Sequence, residues 1–233
     1  MTDTALLPLA ATAASIGLLH TAAGPDHYLP FGLMARARGW SGAKTLRVTL
    51  ACGLGHLAGS VALGAAGVAM GLAVGGLEAV EAVRGDLAAY ALMVVGGLYA
   101  AWSLLRSPSD GLAHSHRASA GAAQGREPSS GGPALPQLAR LWAPGALFLV
   151  FVLGPCEPLI PVLMYPAVVH DYFGLAAVVA AFSATTLGTM AALALACRGG
   201  LKVIQPAAAK RASHVFAGLG IAACGASIRF LGL

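Results

Sequence analysis

"LLHTAAGPDHYLP", residues 18–30, ends an apolar run with two histidines and an aspartate set around a Gly-Pro pair. Asp3 is the only charged residue before His20, and Arg36 is the next one after His27. Proline removes a backbone donor and frees a carbonyl one turn back. The spacing therefore predicts a helix broken at Gly24-Pro25, with His20, Asp26 and His27 gathered at the break. On an unbroken helix the two histidines would share a face but sit roughly 10 Å apart, too far to hold one ion. A bend closes that gap. A charged side chain at the centre of a bilayer costs at least ~2.5–3.5 kcal/mol on the insertion scale, so a group of this kind implies a site.

That the surroundings are a bilayer follows from composition. The chain has 233 residues, 58% of them hydrophobic and 10% charged, with a mean hydropathy of +0.77. Soluble domains carry about 25% charged residues. Abundant Gly and few aromatics suit closely packed membrane helices. A crossing helix needs about 20 mostly apolar residues, and six segments qualify, near 4–23, 48–74, 86–105, 145–167, 172–196 and 213–232. The first lacks the basic n-region of a cleavable signal peptide. The expected class is an all-α, polytopic membrane protein.

The formal charge of +5 orients this protein; it does not point to nucleic acid. Arg36, Arg38, Lys44 and Arg47 follow the first segment. Arg106, Arg117, Arg126 and Arg140 separate the third from the fourth, and Arg198, Lys202, Lys210 and Arg211 the fifth from the sixth. The alternate connections hold Arg84 beside Glu78, Glu81 and Asp86, or no base at all beside Asp171. By the positive-inside rule the basic loops are cytoplasmic and both termini lie outside, in a cytoplasmic (inner) membrane.

Residues 107–137 are rich in Ser, Gly, Pro and Ala and read as a flexible linker. The linker, bounded at 107–140, divides a first three-helix unit (1–106) from a second (141–233). An odd number of helices per unit inverts the second relative to the first, the plan of many secondary transporters. "GPDHYLPFGLM" (24–34) and "GPCEPLIPVLM" (154–164) agree at five of eleven positions without a gap. The expected architecture is therefore a 3+3 inverted repeat in which helices 1 and 4 are broken. In this register Asp26 aligns with Cys156 and His27 with Glu157.

Broken backbone at membrane depth is tolerated only where it is buried in protein or lines a cavity. Two facing breaks would bring Asp26, His27, Cys156 and Glu157 together. His56, in "GLGHLAGS", adds an imidazole among Gly53, Gly55 and Gly59, where another helix can approach closely. Ser183, Thr185, Thr186 and Thr189 form a polar patch whose hydroxyls can bond back to their own helix. Cys52, Cys197 and Cys224 read as packing residues, with no CxxC pair for a zinc or redox framework. Imidazole with carboxylate, and with thiolate if Cys156 contributes, suits nickel, cobalt, zinc or copper, whereas magnesium and calcium prefer all-oxygen cages. No Walker loop, nucleophile elbow or HExxH is present, so an enzyme is not expected. His114 and His116 in the linker are not expected to belong to the site.

"HTAAGPDH" and "GLGH" together resemble the signature of the NicO superfamily of nickel/cobalt permeases. The match is closest to its UreH-like, urease-accessory branch, often grouped with sulfite exporters of the TauE/SafE type. The spacing His20-x5-Asp26-His27 is that of the accessory branch; the permeases use one residue fewer. The resemblance implies a six-helix secondary transporter of a divalent transition-metal cation, nickel or cobalt foremost, with no resident cofactor. It implies metal ligation by His20, Asp26, His27 and His56, joined by Glu157 and Cys156, and a partnership with a urease or other nickel-enzyme maturation system. "GPCEPLIP" also resembles the Pro-Cys-x-x-Pro segment of CcdA-type membrane thiol–disulfide carriers. Those use an intramembrane cysteine from each half, and here Asp26 occupies the place of the second. An electron carrier is thus the alternative. A sulfite or small-anion exporter comes third, since no Arg or Lys is expected inside the membrane.

Overall fold

The computed structural model describes residues 3–70, 74–105, 134–154, 156, 158–168, 171–204 and 210–232. Among these there are helices and turns and no strand. Helix α1 (Asp3–Ala23) ends at the predicted break, followed by a 3-10 turn (Pro25–His27) and the short α2 (Leu29–Ala37). Two long helices follow, α3 (Gly42–Ala69) and α4 (Val74–Leu105). After the linker come α5 (Ala134–Leu153), a second break, the short α6 (Leu159–Val168), and two more long helices, α7 (Tyr172–Ile204) and α8 (Lys210–Leu231).

Local chemistry accounts for the first break. Gly24 N–H makes the last α-helical bond, to His20 O at 3.0 Å. The residue before a proline is driven out of the helical region, and Gly24 sits at φ −87°, ψ 99°. His27 N–H then reaches Gly24 O at 3.1 Å, closing the tight turn, and Gly32 N–H to Tyr28 O, also 3.1 Å, restarts a regular helix. At the second break α5 stops at Leu153, Gly154 N–H donates back to Phe151 O at 3.1 Å, and Leu159 N–H to Cys156 O at 2.9 Å. Where α7 begins, the half-buried Asp171 carboxylate accepts the Gly174 N–H at 2.9 Å, an N-terminal cap that holds this carboxyl below its usual range.

Among the described residues five helices are long and apolar enough to cross a membrane: Leu6–Ala23, Gly42–Gly67, Gly75–Leu105, Tyr172–Gly200 and Ala212–Leu231. The protein is a multi-pass, all-helical membrane protein. The expected fourth crossing, 145–167, is divided by the second break, and its first apolar part, Pro144–Leu153, is too short to span alone. The expected third segment began at residue 86, but α4 starts at Val74 and carries Glu78, Glu81 and Arg84 on its own turns. The charges there lower the hydropathy without ending the helix. Two of them pair three residues apart on the helix, which keeps the helix intact.

Packing concentrates on three apolar clusters. One joins α2, α4, α5 and α8 through Met34, Leu92, Tyr99, Leu147 and Ile221. A second joins α1, α3, α6 and α7 through Ala13, Leu57, Leu159 and Phe182. Between them Phe31, Cys52, Phe151 and Met190 form a third, with the Phe31 and Phe151 rings 4.7 Å apart. Helices α4 and α8 approach at backbone contact: a Cβ on Gly218 would lie 2.6 Å from Ala100 N and 2.7 Å from Gly96 O. Small residues at such a crossing gain dispersion contacts where lipid removes the hydrophobic drive between helices.

Candidate functional site

The first break, α3 and the end of α5 border a cavity of about 340 Å³ lined by His20, Asp26, His27, His56, Phe151 and Gly154, with Asp86 of α4 and Gly232, just past α8, also on its wall. Three of the expected ligands come from the break itself and the fourth from α3. The His20 and His27 rings lie 4.7 Å apart and the His27 and His56 rings 5.5 Å apart, each pair nearly perpendicular. Oδ1 of Asp26 lies 3.2 Å from Nδ1 of His27. His20 thus faces inward, toward its neighbours at the break.

Hydrogen bonding leaves these imidazoles incomplete. Nε2 of His20, His27 and His56 are all buried without a hydrogen-bond partner. His56 Nδ1 stands 3.3 Å from the Phe151 carbonyl. A carbonyl only accepts, so Nδ1 carries the proton and Nε2 presents a lone pair. Leaving one buried polar atom unpaired costs ~1–3 kcal/mol. Three such atoms belong to histidines that line one cavity. As arranged, edge to face, the rings do not converge: among the described residues no three His, Cys, Asp or Glu side chains are grouped as a preformed metal site.

Glycines permit this closeness. A Cβ on Gly154 would sit 3.1 Å from His56 Nδ1, and one on Gly24 would sit 2.8 Å from Asp26 Oδ1. The expectation that glycines around His56 admit another helix is met at Gly59, where a Cβ would be 2.9 Å from both Val152 O and Arg84 Nη2.

The second half lines the cavity with Phe151, Gly154 and Pro158. Glu157, His114 and His116 lie outside the described residues. Cys156 is fully buried, but it packs in the apolar cluster with Ala13, Leu57 and Phe182 and is not on the cavity wall. In the α7 patch, Thr185 Oγ1 bonds back to Ala181 O at 3.0 Å, while Thr186 is buried with its hydroxyl unpartnered.

Sequence reading missed Glu81 and Arg84. Glu81 is 0% exposed, and its Oε1 is paired with Arg84 Nη1. Its Oε2 accepts the Cys156 N–H at 3.0 Å. Arg84 Nη2 donates to Val152 O at 3.1 Å and to Gly154 O at 3.2 Å, and Nη1 lies 3.5 Å from Ser60 Oγ. The expectation that the membrane segments hold no Arg or Lys is corrected by Arg84 within the apolar span Gly75–Leu105, and by Arg229 within Ala212–Leu231, paired with Asp86 at 3.5 Å. Burial beside an opposite charge and two carbonyls makes the guanidinium tolerable there. The signal available in sequence was the Glu-x-x-Arg spacing, one helical turn.

Fold and site together define a multi-pass helical membrane protein with a polar cavity at a broken helix. No protein-family model, curated protein or solved structure matches the chain.

Proposed function

We propose that this protein is a secondary transporter of a divalent transition-metal cation, nickel or cobalt foremost. The observation that carries the reading is the set of three buried imidazole Nε2 atoms without hydrogen-bond partners, on three histidines that line one cavity beside Asp26. Borderline metals favour such nitrogen donors, and the Phe151 carbonyl on His56 Nδ1 is the outer contact that metal-bound histidines commonly make. Ligation requires the perpendicular rings to turn, with M–N distances of about 2.0–2.1 Å for a zinc-like ion. Glu157 is proposed to complete the site from the second half. Cys156 has less support as a ligand, because it belongs to an apolar cluster and is not among the residues lining the cavity.

The six-crossing inverted repeat is part of the proposal. Each half runs helix, break, short helix and two long helices. The packing exchanges in step: α1 lies on α7 as α5 lies on α3, and α2 on α8 as α6 on α4. The proposed orientation places the basic loops in the cytoplasm. With native cysteines replaced, a cysteine at Ala43 is expected to be protected from an impermeant thiol reagent in intact cells. One at Tyr172 should be labelled, and the reverse pattern would invert the topology.

For the thiol-carrier alternative, Cys52, Cys197 and Cys224 all lie outside the apolar cluster that holds Cys156. The anion alternative gains an intramembrane arginine, but Arg84 is engaged by Glu81 and two carbonyls. Uptake into proteoliposomes across nickel, cobalt, zinc, copper, magnesium and sulfite tests the reading. Saturable nickel or cobalt uptake is expected; sulfite uptake alone would replace it with the anion reading.

A further inference from the structure

We propose that Glu81 and Arg84 are positioning residues for His56: by tying down the open end of α5, they hold the Phe151 carbonyl where it fixes the His56 tautomer. The function of His56 as a ligand is taken from the reading above; the positioning itself does not depend on it. A helix end leaves its last carbonyls without intrahelical donors, and at a break at membrane depth these must be met from within the protein or from a water-filled cavity. In α5 two of these carbonyls, Val152 O and Gly154 O, are met by the two-pronged guanidinium of Arg84 at 3.1 and 3.2 Å. Phe151 O, which already accepts the Gly154 N–H at 3.1 Å, is also met by His56 Nδ1 at 3.3 Å.

Glu81 completes the clamp from the other side of the break. One carboxylate oxygen holds Arg84 and the other accepts the Cys156 N–H at 3.0 Å, so a single pair of α4 residues grips the chain before and after the break. Ser60 lies one turn beyond His56 on α3, and its Oγ is 3.5 Å from Arg84 Nη1. The same guanidinium therefore spans the strip of α3 that carries His56 and the strip of α5 that orients it. Gly59 between them leaves room for this, since any Cβ there would be 2.9 Å from Arg84 Nη2. If the end of α5 drifted, His56 would lose its acceptor, and its ring could flip or exchange tautomers, taking the Nε2 lone pair out of the cavity. An ion pair with no role beyond neutralising itself would not need its donors divided between two carbonyls on one helix end.

The test uses the full-length protein in detergent, labelled with nitrogen-15 histidine and free of metal, with the His56 signals assigned by their loss in His56→Ala. Wild type is expected to show His56 as a single Nδ1–H tautomer. Arg84→Gln removes the charge and the fork, and Arg84→Lys keeps the charge but offers a single point donor. Both are expected to give mixed tautomers at His56 while His20 and His27 keep their signals. With Co²⁺ as probe, both should raise its Kd at least tenfold, and Arg84→Gln combined with His56→Ala should bind no more weakly than His56→Ala alone. If Arg84→Gln fails to fold, Arg84→Lys and Glu81→Gln take its place. An unchanged single tautomer in the folded variants overturns the proposal, as do cobalt losses that simply add. Absence of Co²⁺ binding by wild type would instead sink the metal reading, and the tautomer comparison would still decide the positioning.

Discussion

Asp26→Ala and His27→Ala are each expected to abolish metal uptake, lowering the initial rate at least ~100-fold, equivalent to about 2.7 kcal/mol of barrier. Both groups sit at the first break, 3.2 Å apart, on the wall of the one cavity where three imidazole nitrogens stand unpartnered. Removing either takes away a donor and also frees its neighbour: without Asp26 the buried His27 has no carboxylate beside it, and without His27 the pairing is lost from the other side. Initial rates in proteoliposomes, normalised to folded protein, measure the effect. Cys156→Ala is the contrasting variant. Alanine keeps the apolar character of a side chain packed against Leu57 and Phe182, so at least partial uptake is expected. Complete loss in Cys156→Ala, together with a trappable mixed disulfide between Cys156 and a thioredoxin-like partner, would establish electron transfer in place of metal transport.

The second large effect concerns the scaffold. Gly218→Leu should lower the thermal midpoint in detergent markedly, with a destabilisation of about 1–3 kcal/mol or more from overpacking. At this crossing α8 touches the backbone of α4, with Ala100 N and Gly96 O within 2.7 Å of where a Cβ would start. Gly97→Leu is the control on the facing helix. Gly97 is exposed with no atom near its would-be Cβ, and leucine favours helix over glycine by up to about 1 kcal/mol. Its midpoint should stay the same or rise. Equal losses at both positions would mean that the α4–α8 contact is not what stabilises this region.

Composition and local rules carried much of this protein. Low charge and high hydropathy over long stretches define a helical membrane protein, because each residue adds its transfer free energy independently of the fold. Gly24-Pro25 breaks α1 by its own backbone chemistry, and the helix indeed stops at Ala23, as α5 stops at Leu153. The gathering of His20, Asp26 and His27 follows from that local bend, and the glycines around His56 announced a close helix contact. Tertiary structure alone decided what meets what. Hydropathy treated Glu81 and Arg84 as loop charges, since an additive scale cannot count the partner that neutralises a charge. Only the folded bundle places the end of α5 against them, where its unpaired carbonyls and the Cys156 N–H satisfy both side chains. The side-chain direction of Cys156 was equally beyond the sequence, because a repeat alignment fixes position along the chain and not which way a residue turns once its helix has ended.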